Sequence, residues 1–267
     1  MSVPPSERPA ARPAERPSDR GPERPSERRG AARTAVVWEA LRGPLAADGP
    51  LDVLDVGGGT GGFAVRVAEL GHRVTVVDPS PDALAMLGRR AAERGVAELV
   101  RGVQGDLSDL AGAVGETRGV DVVLCHGVLE VVEDPGAALA ALSAALRPGG
   151  VLSLLVAQRY AAVVARAMAG HLVAARALLE PAAASPPGPQ RTRRYTHAEL
   201  RELLADAGLP VESVQGVRVF ADLVPGALLD LEPGAGQALV ELEQAVADTE
   251  ELFPLATQLH VLARRTP

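Results

Sequence analysis

The sequence predicts a doubly wound α/β domain: a sheet of seven strands, helices on both faces and a helical insertion after the fifth strand. Three observations carry that expectation. Short, unbroken apolar runs alternate with helical periodicity, as expected of strands buried on both faces. A glycine cluster, Asp55-Val-Gly-Gly-Gly-Thr-Gly-Gly62, follows the first run and opens a helix. An acid, Asp78, closes the second run 21 residues after Gly57.

The elements follow in order. Residues 1–30 carry an octad repeat rich in Pro, Arg and Glu, with 7 Arg against 5 acids and almost nothing apolar. Such a segment buries too little surface to offset its ordering entropy, so it reads as a disordered tail, either solvated or an RNA-tethering arm. The globular domain is expected over 31–267. A short helix spans Ala35–Leu41. The first strand is Leu51–Val56, followed by a helix over Phe63–Leu70 with Gly71 as its stop. The second strand is Arg73–Val77, and a helix over Pro79–Arg94 has proline in its first turn. Strands three, four and five are Leu99–Val103, Val120–Cys125 and Val151–Val156. A helix over Pro135–Leu146 precedes the fifth and stops at Arg147-Pro-Gly-Gly150. Residues 157–195 form the insertion, read as a lid: helical to about Leu179, with a proline-rich turn over Pro181–Pro189. Thr196 caps a helix ending before Gly208. Val211–Phe220 and Gln258–Arg264 are the last strands, with helical spacing over Gln237–Leu252 between them.

Composition removes several classes of function. The net charge is −7, which argues against nucleic-acid binding driven by bulk charge but leaves room for a local basic patch. All 27 basic residues are Arg, so no lysine Schiff base can form. The single cysteine, Cys125, excludes an internal disulfide and reads as a buried small hydrophobe. The five histidines are scattered without metal-ligand spacing, so no metal is expected. Only six aromatic residues are present, too few for a broad base-stacking surface. No apolar run reaches about 18 residues and no apolar signal core is visible, so a soluble cytoplasmic protein without membrane contact is expected.

The glycine loop admits two readings. Gly57, Gly59 and Gly62 satisfy the dinucleotide fingerprint G-x-G-x-x-G. Asp55, Gly57, Gly59 and Gly61 satisfy D-x-G-x-G-x-G, the pattern of S-adenosylmethionine (SAM) methyltransferases. Glycines at a strand end permit positive φ and let a ligand approach the backbone. Asp78 can accept both ribose hydroxyls of either ligand, or cap the helix that follows. Three later segments favour SAM. Gln104-Gly105-Asp106 follows strand three, where an acid can accept the adenine amino group. His126-Gly-Val-Leu-Glu-Val-Val-Glu-Asp-Pro135 follows strand four. Leu146-Arg-Pro-Gly-Gly-Val-Leu152 enters strand five. His126 itself reads either as a partly buried polar residue at a strand end or as part of a pocket at the sheet's carboxyl edge.

On this set the sequence resembles the class I SAM-dependent methyltransferases, which implies a Rossmann-like sheet with its last strand antiparallel. More narrowly, residues 30–265 resemble the tRNA wobble-uridine methyltransferases that esterify 5-carboxymethoxyuridine. Gly30-Ala-Ala-Arg33, Leu54-Asp-Val-Gly-Gly-Gly59, His126-Gly-Val-Leu-Glu130, Met168-Ala-Gly170, Gly216-Val-Arg-Val-Phe220, Leu242-Glu243 and His260-Val-Leu-Ala-Arg264 carry that likeness. The resemblance implies cofactor contacts at Arg33, Gly57, Gly58, Asp78, Gln104, Gly105 and His126. To these the motif reading adds Asp55, Gly59 and Asp106. A carboxylate acceptor is already ionised near neutral pH and needs no general base, only a cation to hold it. Arg159, Arg166, Arg193 and Arg194 on the lid, with Tyr160 beside them, and Arg218 from strand six are the expected acceptor-binding residues. His126, the expected catalytic residue, would position rather than take a proton. The partner is then tRNA. A small-molecule carboxyl, hydroxyl or amine acceptor, or a SAM-binding module without turnover, are the alternatives.

Overall fold

The computed structural model describes residues 25–107, 110, 112, 119–179, 192–229 and 233–266. The octad repeats up to residue 24, the proline-rich turn and Arg191 lie outside them. Seven strands form one sheet: β1 Asp52–Val56, β2 Arg73–Asp78, β3 Val100–Gln104, β4 Val120–His126, β5 Leu146–Ala157, β6 Val211–Val217 and β7 Gln258–Arg264. Their order is β3-β2-β1-β4-β5-β7-β6. β1 to β5 pair in parallel, whereas β7 runs antiparallel to both β5 and β6.

Period-two alternation buries both faces of the central strands. Leu54, Val56, Val123, Cys125, Leu152 and Leu154 belong to one core, with Leu139, Leu142, Leu200 and Leu204 from the helices α4 Pro135–Ala145 and α7 His197–Asp206. Their neighbours Val53, Val122, Leu124, Val151 and Leu155 belong to the other. There they meet Val36, Val37 and Leu41 of α1 Pro25–Leu41, Val65 of α2 Ala64–Glu69 and Leu87 of α3 Pro81–Glu93.

Helix starts follow local capping chemistry. Ser80 Oγ accepts from Ala83 N and puts Pro81 at the first helical position, so α3 begins two residues later than the sequence predicts. Asp134 caps α4 in the same way. Thr196 and Glu199 form a reciprocal capping box on α7. Three boundaries move further. The first helix reaches back to Pro25, into the segment read as tail. β5 begins at Leu146, with Arg147-Pro-Gly-Gly150 as an irregularity inside it: Val120 pairs with Leu146, then Val122 with Val151. β6 ends at Val217 because Arg218 adopts φ +60°, a left-handed conformation that cannot continue a strand.

The insertion is pinned at its neck. Tyr195 N donates to Ala157 O (2.9 Å) and Arg159 N to Tyr195 O (3.0 Å). The buried Tyr195 hydroxyl donates to Leu129 O at 2.8 Å. Between these ends lie α5 Arg159–Met168 and α6 Leu172–Ala177. A last helix, α8 Ala235–Val246, precedes β7 and packs against α1. No helix among the described residues is long and apolar enough to cross a membrane.

Candidate active site

The glycine loop leaves β1 at the carboxyl edge of the sheet. Gly57, Gly59 and Gly61 have φ of +69°, +54° and +80°, which L side chains rarely adopt. Gly57 N donates to Val77 O at 2.7 Å, tying the loop to β2. A Cβ on Gly57 would stand 2.4 Å from Val128 Cγ2. Asp55, expected to contact the cofactor, lies instead beneath the loop: a Cβ on Gly58 would meet its Oδ2 at 2.4 Å. Burial, and then the nearby Asp78, push the Asp55 carboxyl up to about 7. It underpins the loop.

Asp78 does not cap the following helix. Its Oδ2 accepts from Gly59 N and its Oδ1 from Ser80 N, both at 2.9 Å. A carboxylate offers about four acceptor positions, so roughly two remain for a diol. A cavity of about 680 Å³ opens beside it. Its lining includes Gly57, Asp78, Gly105, Asp106, Val128 and Ala138, none of them from the lid. Gln104 is not in that lining and donates instead to Pro79 O at 3.3 Å. The cavity's wall from Val131 to Ala141 is the part that sequence reading missed. Its segment was visible, but which of its residues face inward depends on how α4 packs.

A second cluster stands across β4 to β6. The Arg33 guanidinium lies 5.9 Å from the Phe63 ring centroid, and Phe63 meets the His126 ring edge-on at 5.0 Å. Arg33 Nε is buried without a hydrogen-bond partner, as are His126 Nδ1, Glu130 Oε2 and Arg218 Nε. Burial lowers the Arg33 pKa, and the Arg218 charge lowers it further. Burial, followed by His260 and Arg33, holds His126 well below its ordinary value. Glu130, a buried acid that sequence reading did not single out as a site residue, accepts from Ala157 N at 2.8 Å. Burial raises its pKa, while Arg194 and Arg33 oppose that rise.

Arg218 owes its place to a device with no local sequence signal. The buried Glu243 of α8 accepts from Val219, Phe220 and Ala221 N at 2.7–2.9 Å, which fixes the turn after Arg218. Arg218 Nη2 also pairs with Asp222 Oδ2. Successive N–H groups aimed at one carboxylate make a stable anion nest.

The lid cations divide. Arg159, expected to hold an acceptor, is buried and committed to Glu199 Oε1 (2.8 Å) and Arg194 O. Arg193 donates to the Val132 and Glu133 carbonyls and so braces the cavity wall. The partners named here hold Arg159 through Nη2 and Arg193 through Nη1 and Nη2. Arg194 is half-buried, with its pKa lowered by burial and then by Arg166. Arg166 and Tyr160 are exposed on α5. Among the described residues no group of three or more His, Cys, Asp or Glu could hold a metal ion.

A glycine cradle with three left-handed positions, a carboxylate with spare acceptor capacity and a guanidinium with an unpartnered Nε fit the diol and amino-acid ends of SAM. Known proteins agree. A methyltransferase domain family matches residues 54–152. The chain is 34% identical over 239 residues to a tRNA 5-carboxymethoxyuridine methyltransferase of Escherichia coli, covering 89% of each chain. It is 36% identical over 169 residues to a ubiquinone biosynthesis O-methyltransferase of Xanthomonas axonopodis pv. citri, covering 62% of this chain and 65% of the other. The fold is shared with the magnesium protoporphyrin IX methyltransferase of Synechocystis, solved with bound S-adenosylhomocysteine. That likeness has a TM-score of 0.56 at 18% identity and covers 89% and 83% of the two chains. The seven-stranded order, the reversed β7 and a relative matched along nearly its whole length lead to one conclusion: the chain belongs to the class I SAM-dependent methyltransferases, in the family of the tRNA 5-carboxymethoxyuridine enzymes.

Proposed function

We propose that this methyltransferase esterifies a carboxylate, that of 5-carboxymethoxyuridine in tRNA, and therefore works in the cytoplasm. The observation that carries the reading is a pair of like-charged guanidinium groups with open donors at the site, Arg218 keeping its buried Nε open beside its ion pair with Asp222. Arg33 and Arg218 each keep a buried, unpartnered Nε, and Arg218 bears on Arg33 as a like charge. Two guanidinium groups so placed are completed by anions, through charge-assisted contacts. One carboxylate belongs to the methionine end of SAM and a second to the acceptor.

Arg33 takes the first and Arg218, with Arg194 near it in role, the second. Gly57 and Gly58 admit the cofactor chain, Asp78 accepts the ribose hydroxyls, and Gly105 and Asp106 face the adenine. Bound SAM supplies a methyl group on a sulfonium, transferred in line without a covalent enzyme intermediate. The chain's own contribution is alignment at about 3 Å and removal of water from the nucleophile. No proton has to leave a carboxylate. That suits a site where His126 is held neutral and the Cys125 thiol is pushed far up by burial.

Nucleoside mass spectrometry of tRNA from cells lacking the protein tests the reading. The expected result is loss of the methyl ester with accumulation of the free acid, reversed by the purified enzyme and SAM. An unchanged nucleoside profile would defeat it. A second reading, a small apolar acceptor, is favoured by the exposed Met168, Leu172 and Val173 on the lid helices. Methyl transfer from labelled SAM to a metabolite fraction but not to tRNA would select it. Binding of SAM without turnover in any fraction would leave a binding module.

A further inference from the structure

A row of polar side chains crosses the sheet on one face, from the active site to solvent. His126 Nε2 lies 2.9 Å from Ser153 Oγ, and Ser153 Oγ lies 2.7 Å from His260 Nε2. His260 Nδ1 lies 3.1 Å from Gln215 Oε1, and Gln215 Nε2 donates to Asp248 Oδ1 at 3.1 Å. The pairing of β4, β5, β7 and β6 aligns it: His126 stands opposite Leu155, Leu155 opposite His260, and His260 opposite Gln215. Ser153 and His260 are fully buried.

The direction of every hydrogen bond in the row follows from its outer end. Asp248 is exposed, and its carboxylate accepts from Gln215 Nε2. Gln215 therefore presents its amide nitrogen to Asp248 and its oxygen to His260. That oxygen needs a donor, so His260 carries its proton on Nδ1. Burial, and then the Arg33 charge, hold His260 down at about 3, so it is neutral and its Nε2 accepts. Ser153 must then donate to His260 and accept from His126. His126 carries its proton on Nε2, and its Nδ1 is left with a bare lone pair. That atom is buried and unpartnered. A buried acceptor without a donor is destabilising, and that cost is recovered when a ligand supplies one.

We propose that Ser153, His260 and Gln215, anchored on Asp248, are positioning residues that hold His126 as the Nε2–H tautomer, so that its Nδ1 lone pair accepts a hydrogen bond from the α-ammonium group of SAM. The inference rests on the assignment of the cavity beside Asp78 to SAM, with the methionine end leaving that cavity past Gly127 towards the Arg33–Phe63–His126 cluster, which is not in its lining. A carboxylate acceptor offers no donor to Nδ1. Among the cofactor's donors, the ribose hydroxyls belong to Asp78 and the adenine amino group to the far end of the cavity. The methionine end is the part that meets Arg33, which shares the Phe63 ring with His126. The row is not a proton wire. Gln215 donates and accepts through different atoms, so a proton reaching His260 cannot pass on to Asp248. The row sets geometry only.

The test is ¹⁵N spectroscopy of the histidine-labelled full-length protein, with calorimetry of SAM and of its deaminated analogue. The expected spectrum shows His126 as one neutral tautomer at and above the ordinary histidine value of about 6.5. Its Nδ1 resonance should shift when SAM binds and stay put with the analogue. Ser153→Ala should populate both tautomers and weaken SAM about tenfold, the equivalent of one hydrogen bond, while leaving affinity for the analogue unchanged. Ser153→Thr, which keeps the hydroxyl, should restore the single tautomer. A wild-type His126 protonated on Nδ1, or a resonance indifferent to SAM, overturns the proposal without any variant having to fold. Equal losses for SAM and analogue in Ser153→Ala overturn it too. Failure of the wild type to bind SAM would instead remove the cofactor assignment, and the proposal with it.

Discussion

The two halves of the sheet's carboxyl edge are built by different means. Around β1–β3 the proposed cofactor site is mostly backbone: a left-handed glycine loop, and one carboxylate, Asp78, whose orientation is set by the Gly59 and Ser80 N–H groups. Around β4–β7 the proposed site is made of side chains that converge from four distant places: α1, β4, the turn after β6 and the lid. The first half is held by hydrogen bonds between the loop and β2. The second is held by long-range partners such as Glu243, Glu199 and the Ser153–His260 pair. A backbone site binds one ligand shape well and varies little. A convergent side-chain site can change what it accepts by replacing one residue.

The largest effect that can break this contrast is expected in the backbone half. Gly57→Val forces a branched residue into φ +69° and into Val128. SAM affinity should fall by about 100-fold or more, the equivalent of roughly 3 kcal/mol of strain and clash. Calorimetry showing unchanged affinity would misplace the cofactor. In the side-chain half, Arg218→Ala should raise KM for the acceptor by about 10- to 100-fold while the SAM Kd changes little. Arg33→Ala should do the reverse. If both variants moved the same constant, the two guanidinium groups would serve one anion rather than two.

Arg159→Ala sharpens the division within the lid. It leaves Glu199 without its buried partner, so thermal unfolding should shift down by several degrees, about 1–3 kcal/mol given that Glu199 is partly exposed. Acceptor KM should stay near the wild-type value. A KM effect without a stability effect would return Arg159 to the substrate.

The smallest effect concerns pH. Asp55 is raised from 3.8 to about 7, so the folded state holds its proton more tightly than the unfolded chain. Its stabilising contribution is fully present below about pH 4 and is lost as pH rises through 7. His126 and His260 are lowered and act in the opposite sense: their contribution appears as pH rises through the ordinary histidine value of about 6.5 and is lost below it. In the SAM-free protein these slopes partly cancel. Asp55→Asn should remove only the first, leaving stability that rises with pH between about 4 and 7. Denaturant titrations over that range would show the change in slope, and an unaltered profile would mean that Asp55 is ionised beneath the loop.

The same contrast decides what can be read from sequence. The backbone half was legible because its signals are local: the glycines follow the strand they leave and Asp78 ends its own strand, just as Thr196 sits directly before the helix it caps. The side-chain half was legible only by type. Arg159 and Arg218 look alike on paper; one pairs with Glu199, forty residues away, and the other pairs with Asp222 beside a turn that Glu243 holds from 25 residues downstream. Gln104 and Asp55 matched the motif by position, yet one braces a loop and the other lies under it. The helix over Pro25–Leu41 was hidden at its first residues because they belong to the proline-rich repeat.

The pinned neck at Ala157, Arg159 and Tyr195 has a consequence for how such a chain can change. Because the two ends of the insertion are already joined, the sheet does not register how much chain lies between them. Closing a loop costs only about 0.6 kcal/mol more for each doubling of its length. The chain between Arg159 and Arg193 can thus lengthen, shorten or be exchanged in one step, with the sheet and the glycine loop intact beneath. The neck works as a socket, and a new acceptor can be acquired by replacing what is plugged into it.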